Sequence, residues 1–557
     1  MESTKLWINK LPKKELLYEF VSQGYFTPFI ATLLLNKGFT NIKEAYTFLY
    51  PQKQDFSNPL ELPGIKYAIQ KIFQVVSKKE KIGIYGDSDV DGIVSSFILY
   101  HFLKSIGAEV EVLIPGKEKD GYGFHSDSIE WFKNKKVKLI ITVDVGISAH
   151  STINLAKASG IDVIVMDHHE ISELPDAIVV SGKLLDQSHP LYFLCGAGVV
   201  FTFIRGFCRY LKTQCDSDLN LPELKNYLEL TAIATLADMV PIIGENRIIT
   251  YFGFRKLFET DFIPLKVMFE DLGIKFGISE EDLYFKVIPK LNAPGRLGHP
   301  EVVFDFLCAR DRKEAEKLWK KIKSFNSARQ DIEIEVVSKL EEEAEKQAKE
   351  SKILLLSLTG IPKGLLGLIA NRFKNMYNLP VIVLTLDNGI AFASGRAPKG
   401  INLLDLLSEC KDMFLEFGGH PCALGFQIKT EDITALKEKL KLLEEKNRLK
   451  PVNQHLYIDA EATLNELLHE ENIYALHQLH PYGEAHKPPL LLIKNFEVKN
   501  YQILKDKHTK LLLSWAGNSI KAIGFNKILD PEIRLIAGTP FVNFFNNSLE
   551  IKIEDVK

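Results

Sequence analysis

Lys81-Ile82-Gly83-Ile84-Tyr85-Gly86-Asp87-Ser88-Asp89-Val90-Asp91-Gly92 is the stretch whose reading decides the fold. Its first half is a short apolar, strand-like run, and its second half sets three carboxylates at alternate positions directly after it. Residues 92–106 read as a helix that stops at Gly107. Further strand candidates follow at 110–114, 137–143 and 161–166, with a helical stretch at 149–159 between the last two. Buried β-rich runs separated by helices imply an α/β domain built on a doubly wound parallel sheet. Asp87, Asp144 and Asp167 each stand just after the C-terminal end of a predicted strand. That edge is where open α/β sheets place their ligands.

Three carboxylates this close raise one another's pKa steeply unless cations neutralise them. Hard divalent ions such as Mg²⁺ and Mn²⁺ take carboxylate oxygens and imidazole nitrogens. Asp-x-Asp-x-Asp-Gly also opens an EF-hand loop, which needs a Glu at its twelfth position and an entering helix. Counted from Asp87 the twelfth residue is Ile98, and the entering run reads as a strand, so the calcium-loop reading fails. Three more signals follow in order: Asp144 in Thr142-Val143-Asp144-Val145-Gly146, the run Asp167-His168-His169, and Asp238 at the end of the apolar run Ala234-Thr235-Leu236-Ala237. Alone, Asp144 and Asp238 read as helix caps or polar boundaries, and His168 and His169 as surface histidines. Adjacent residues of an extended chain point to different sides, so one histidine can bind metal while the other faces substrate. Together the set supplies about enough ligands for two octahedral cations.

The wider chain is compatible with that chemistry without demanding it. At 557 residues it exceeds what one core usually organises, which predicts two or three domains. Net charge is only −3, so composition does not advertise a nucleic-acid binder, although a phosphate track needs only local positive charge. The six cysteines form no CxxC pair and suit a reducing cytoplasm rather than a disulfide framework or zinc site. No uncharged apolar run is long enough to cross a bilayer, and residues 1–11 carry no signal-like apolar core, so no membrane partner is expected.

Residues 311–350 lack Gly and Pro and read as one or two long connecting helices. A second, smaller α/β pattern occupies 351–450, and short β runs from His455 onward read as an all-β module over 451–557. The expected boundaries are a lead-in at 1–75, a catalytic domain at 76–310, the connecting helix, the second domain and the C-terminal module. Gly418-Gly419 and Ser394-Gly395-Arg396 could expose backbone N–H groups to phosphate, with Arg396 and His420 as partners. The plainer reading is a tight turn beside a packed histidine. Arg296 alone reads as a surface arginine. Tyr501, Trp515 and Phe525 are stacking candidates in the β module, where aromatics usually fill the core.

The ordered set Asp87-x-Asp89-x-Asp91, Asp144, Asp167-His168-His169 and Asp238 resembles the DHH phosphoesterases, named for that aspartate-histidine-histidine run. Tyr85 stands where smaller members carry a His, and Asp87 is offered instead, which is similar to the RecJ-type branch. The resemblance extends over nearly the whole chain, through Leu33-Leu34-Leu35-Asn36-Lys37-Gly38, Gly121-Tyr122-Gly123, Gly196-Ala197-Gly198-Val199, Asn292-Ala293-Pro294-Gly295-Arg296, Lys363-Gly364-Leu365-Leu366-Gly367 and Pro481-Tyr482-Gly483-Glu484. Ser181-Gly182-Lys183, Ala397-Pro398-Lys399 and Ala485-His486 depart from the family's usual residues.

The resemblance implies a DHH domain, a DHH-associated domain and an OB-like module. It implies two Mn²⁺ or Mg²⁺ ions bridged by Asp144, with Asp89 on one, Asp91, His168 and Asp238 on the other, and Asp87 on either. Catalytic roles fall to Asp144 and His169, and substrate contacts to Arg296, Ser394, Arg396, Gly418, Gly419 and His420. The implied activity is digestion of single-stranded DNA from 5′ to 3′ into 5′-mononucleotides, in DNA repair and recombination. A helicase and a single-strand-binding protein are the implied partners. Two alternatives stay open: a phosphodiesterase for short oligonucleotides or cyclic dinucleotides, and an inactive DNA-binding scaffold. A metal-free α/β binding protein is the remotest.

Overall fold

The computed structural model of the chain describes residues 5–116, 123–214, 221–274, 278–447, 455–543 and 548–557. Gly121, Tyr122 and Cys215 lie outside them. Among the described residues the cysteines are all free, and no helix is long and apolar enough to cross a membrane.

The first sheet is five-stranded and parallel throughout, in the spatial order Val110–Leu113, Lys81–Gly86, Val137–Val143, Asp162–Met166, Ile178–Val180. The chain starts at Lys81–Gly86, moves one strand outward, then crosses back to the other side. The strand order therefore reverses between Lys81–Gly86 and Val137–Val143, which is the crevice where doubly wound sheets take ligands. Helix Val90–Ser105 is apolar on nearly every side because the sheet, helix Gly196–Gln214 and helix Lys225–Ala237 enclose it. Ile93, Phe97 and Phe102 sit in that core, each contributing roughly 2–3 kcal/mol by burial.

The connecting element is a single helix, Arg312–Glu350. The Asp311 carboxylate accepts from Glu314 N at 2.9 Å, which caps its first turn. Its first half buries Trp319 and Ile322 in the catalytic core, and its second half buries Val336, Val337, Leu340 and Ala344 in a separate core. One rigid rod thus belongs to two domains. The second domain carries a five-stranded sheet in the order Leu354–Ser357, Val381–Asp387, Ile390–Arg396, Ala423–Lys429, Phe414–His420, whose first pair is parallel and the rest antiparallel.

The C-terminal module is a seven-stranded sheet, Ala460–Ala462, Leu491–Ile493, Ile536–Asn543, Ser548–Val556, Asn518–Gly524, His508–Trp515, Glu497–Leu504. Two helices, Leu464–Leu467 and Glu470–Leu479, precede most of it, which the short apolar runs did not reveal. The N-terminal region is also more than a lead-in. Leu6–Asn9 pairs in parallel with His455–Ile458, and Phe20, Phe29, Leu33 and Phe48 share one core with Leu476, Leu491 and Ile536. Arg247, only 2% exposed, ties this assembly back to the catalytic domain. Its guanidinium donates to Phe48 O at 3.0 Å, to Leu479 O and His480 O at 3.1 Å, and to Gln478 O at 2.5 Å. Those carbonyls close the ends of helices Ile42–Leu49 and Glu470–Leu479, where the macrodipole is negative and carbonyls lack helical partners.

Candidate active site

The carboxylates gather because strand ends and helix starts meet at the sheet's crevice. Asp87 follows strand Lys81–Gly86, and Asp89 caps helix Val90–Ser105 by accepting from Asp91 N at 3.1 Å and Gly92 N at 3.2 Å. The Asn292 side chain accepts from Val90 N at 3.0 Å. A Cβ on Gly295 would stand 2.1 Å from Ser88 O, so the Asn-Ala-Pro-Gly-Arg segment lies flat against the loop of three aspartates. Asp144 follows strand Val137–Val143 with φ 61°, a left-handed conformation that Asp and Asn tolerate better than other residues with a Cβ.

Ligand atoms of Asp87, Asp89 and Asp144 lie within 4.8 Å of one another, as do those of Asp91, His168 and Asp238. His168 Nε2 stands 3.0 Å from Asp144 Oδ1, 3.5 Å from Asp238 Oδ2 and 3.9 Å from Asp91 Oδ2. Yet His168 Nε2 and Asp238 Oδ2 are buried without any hydrogen-bond partner. Native proteins seldom leave buried polar atoms so. Donor atoms that share one octahedral cation with bonds of about 2.1 Å stand about 3 Å apart. The residues fit two divalent cations: Asp91, His168 and Asp238 would hold one, Asp87 and Asp89 the other, with Asp144 within reach of both sets.

Electrostatics agree with the geometry. Burial, then repulsion by Asp91, Asp89, Asp238 and Asp87, holds the Asp144 carboxyl well above the usual range. Asp238 is raised likewise, by burial and then Asp91. Asp91 is pushed up to about 6 by burial and by Asp89, against the hydrogen bonds it accepts. Burial drops His168 to about 3, which keeps its imidazole neutral, as a ligand must be. Cys195, buried beside Asp91 and Asp238, has its thiol raised well above the ordinary value.

His169 faces a different environment. Asp167 is buried, and its Oδ1 accepts from His168 N at 2.7 Å, His169 N at 3.2 Å and His169 Nδ1 at 2.7 Å, while Oδ2 accepts from Ile147 N at 3.0 Å. Burial alone raises a carboxyl, but these donors bring Asp167 down to about 2. In return Asp167 outweighs burial and lifts His169 above its ordinary value. Asp167 thus orients His169, a role that reading the motif for ligands alone passed over although the residue stands in it.

Beside the aspartate loop, Arg296 Nη1 donates to Gly364 O of the second domain at 3.0 Å. Burial presses the Arg296 guanidinium down, and the Asp89 and Asp87 charges pull against it. Arg396 Nη1 donates to Ser394 Oγ at 3.0 Å and Gly395 O at 2.8 Å. A Cβ on Gly367 would stand 2.5 Å from Arg396 Nη2, so the start of helix Leu366–Tyr377 lies directly over that arginine. Arg296 and Arg396 are in mutual electrostatic reach. Strand register sets Ser394, Gly425 and Gly418 in one row and Arg396, Ala423 and His420 in another. Gly418, Gly419 and His420 are exposed on the edge strand. Of the stacking candidates, Tyr501 donates its hydroxyl to Leu529 O at 2.9 Å, whereas Trp515 and Phe525 are 44% and 46% exposed.

Residues 81–235 match the DHH family N-terminal domain, 350–446 the DHHA1 domain and 458–555 the RecJ OB domain. The chain is 32% identical over 568 residues to the single-stranded-DNA-specific exonuclease RecJ of Bacillus subtilis, covering 98% of this chain and 70% of that protein. With the Escherichia coli protein of the same name it shares 26% over 486 residues, 84% of each chain. In fold it is similar to the crystal structure of RecJ in complex with Mn²⁺ from Thermus thermophilus, at TM-score 0.83 and 24% identity, covering 100% of this chain and 80% of that one. A structure of exonuclease RecJ bound to manganese matches at TM-score 0.60 and 26% identity, over 71% of this chain and 96% of that one.

Proposed function

The chain belongs to the RecJ family of DHH phosphoesterases, and from that membership we propose that it is a metal-dependent exonuclease that hydrolyses the phosphodiester bonds of single-stranded DNA. The observation that carries this reading is the convergence of Asp87, Asp89, Asp91, Asp144, His168 and Asp238 at one sheet edge, with His168 Nε2 and Asp238 Oδ2 buried and unpartnered. Digestion runs 5′→3′ and releases 5′-mononucleotides in DNA repair and recombination. A helicase that supplies single strands and a single-strand-binding protein are the expected partners, and the cytoplasm the expected location.

Bound Mn²⁺ or Mg²⁺ supplies Lewis-acid stabilisation of the phosphorane charge and lowers the pKa of water to near neutrality. The chain's own groups do the rest. Asp144, Asp91, Asp89, Asp87, Asp238 and neutral His168 provide the anionic, desolvated ligand set. Arg296 beside the aspartates, and Ser394 and Arg396 from the second domain, hold phosphate oxygens, in the manner of guanidinium–phosphate pairs. The hydroxide oxygen left when water releases a proton to solvent forms a bond to phosphorus as the bond from phosphorus to the 3′ oxygen breaks. His169, hydrogen-bonded to Asp167 and lifted by it above its ordinary value, gives its proton to that 3′ oxygen. The RecJ OB match over 458–555 favours a long strand over a dinucleotide.

The test is digestion of single strands labelled at either end, with Mn²⁺, against a duplex and a dinucleotide. Mononucleotide release from the 5′ end of the single strand, abolished by Asp144→Ala, is expected. Undiminished digestion by Asp144→Ala would overturn the two-metal assignment.

A further inference from the structure

The Cys195-Gly196-Ala197 turn belongs to no part of the reaction described above, yet it touches two of the carboxylates at once. It begins helix Gly196–Gln214, a long element packed along helix Val90–Ser105. Gly196 N donates to Asp91 Oδ2 at 2.6 Å and Ala197 N to Asp91 Oδ1 at 2.8 Å. The Cys195 thiol lies beside the same carboxylate and favours its charged form, and its sulfur is itself fixed by Gly198 N at 3.4 Å and Thr235 Oγ1 at 3.5 Å. On its other side Gly196 meets Asp144. A Cβ there would stand 2.7 Å from Asp144 Cβ and 2.9 Å from Asp144 Oδ1. Gly196 has no positive φ among the glycines that do, so its need for glycine is one of space rather than of backbone conformation.

We propose that Cys195-Gly196-Ala197 is the positioning element of the metal centre, holding Asp91 from behind by two backbone N–H donors with the Cys195 thiol beside them, and setting the approach of Asp144 by the missing side chain at Gly196. A carboxylate that accepts from two N–H groups, one on each oxygen, has a fixed plane and keeps one lone pair per oxygen for a cation. The donors also offset like charge, which lets Asp91 sit close to Asp89 and Asp144. Outer-shell partners of this kind typically change metal affinity by about 10- to 100-fold when removed. Cys195, Gly196 and Ala197 are thus positioning residues, acting through Asp91 and Asp144. The inference rests on the metal-ligand assignment made above.

The experiment is a Mn²⁺ titration of the full chain read by electron paramagnetic resonance and by melting temperature, for wild type, Gly196→Ala, Cys195→Ala and Cys195→Ser. Wild-type protein that neither binds Mn²⁺ nor melts higher with it removes the metal-site reading itself. If wild type binds, Gly196→Ala is expected to weaken Mn²⁺ at least 10-fold while its metal-free melting temperature stays near wild type. Cys195→Ala is expected to weaken it about 10-fold, and Cys195→Ser, which keeps a donor, to stay within about threefold of wild type. Wild-type affinity in both Gly196→Ala and Cys195→Ala overturns the proposal. Should Gly196→Ala fail to fold, the Cys195 pair decides: equal affinity in the Ala and Ser variants overturns it, and rescue by Ser sustains it.

Discussion

Replacing Asp144 by Asn should stabilise the metal-free protein while sharply reducing its response to metal. Asp144 is 3% exposed, and its ligand oxygen lies within 4.8 Å of those of Asp87 and Asp89. Two unit charges at that range, in an effective dielectric of about 20, repel by about 3 kcal/mol. Asn keeps the volume and suits the φ of 61°, but brings no charge. At pH 8 without metal the variant should therefore gain about 2–3 kcal/mol, a rise in melting temperature on the order of 5 °C. The sign follows from linkage. Asp144 has its folded pKa raised, so its contribution to stability is present below the unfolded carboxyl range and is lost as pH climbs through the folded value. The advantage of Asn should vanish near pH 4 and be largest at pH 8. Wild type gains about 2.7 kcal/mol from metal at 100 times its dissociation constant, and the variant should gain far less. The assay is thermal melting of chelator-treated protein at pH 4, 6 and 8, with and without Mn²⁺. A variant that melts at or below wild type at pH 8 without metal, or that keeps the full Mn²⁺ shift, refutes the reasoning.

Mn²⁺ affinity should weaken as pH falls from 8 to 5, because Asp91, pushed up to about 6, and Asp144 and Asp238, held well above the usual range, take up protons and a protonated carboxyl cannot ligate; calorimetric titration at pH 5, 6, 7 and 8 checks it. Asp167→Asn should lower kcat and move the alkaline limb of the pH–rate profile to lower pH, since Asp167 is what lifts His169; an unmoved limb excludes His169 as the acid. Arg247→Met strands the carbonyls of Phe48, Gln478, Leu479 and His480 and should destabilise the docking of the C-terminal module by about 3 kcal/mol, visible as earlier proteolysis of residues 455–557 with the catalytic domain intact. Arg296→Lys keeps the charge but loses planar two-point phosphate recognition, and should raise KM for single strands about 10-fold with little change in salt dependence.

The α/β class and the location of the chemistry were legible in the sequence because both rest on local pattern. The run 81–86 followed by Asp87-Ser88-Asp89-Val90-Asp91 declares a strand end carrying ligands, and Asp144 and Asp167 repeat that grammar after the strands at 137–143 and 161–166. Strand ends of a parallel sheet converge on one edge whatever the details of packing, so spacing along the chain was enough to bring these carboxylates into one neighbourhood. The long helix over 312–350 was legible for the same reason, since nothing in it breaks helical hydrogen bonding.

What the tertiary structure alone decided depends on contacts between residues far apart in the chain, which no local pattern encodes. The N-terminal helices belong to the C-terminal core only because Phe29 and Leu33 find Leu476 and Leu491 there. Arg247 is a keystone only because two helix ends from different regions point their carbonyls at it. Asp167 became an orienting group and Gly196 a spacer through partners that the fold supplies, His169 for one and Asp91 with Asp144 for the other. Residue type and spacing set which chemistry was available, and long-range packing set which atom of each side chain faces which neighbour.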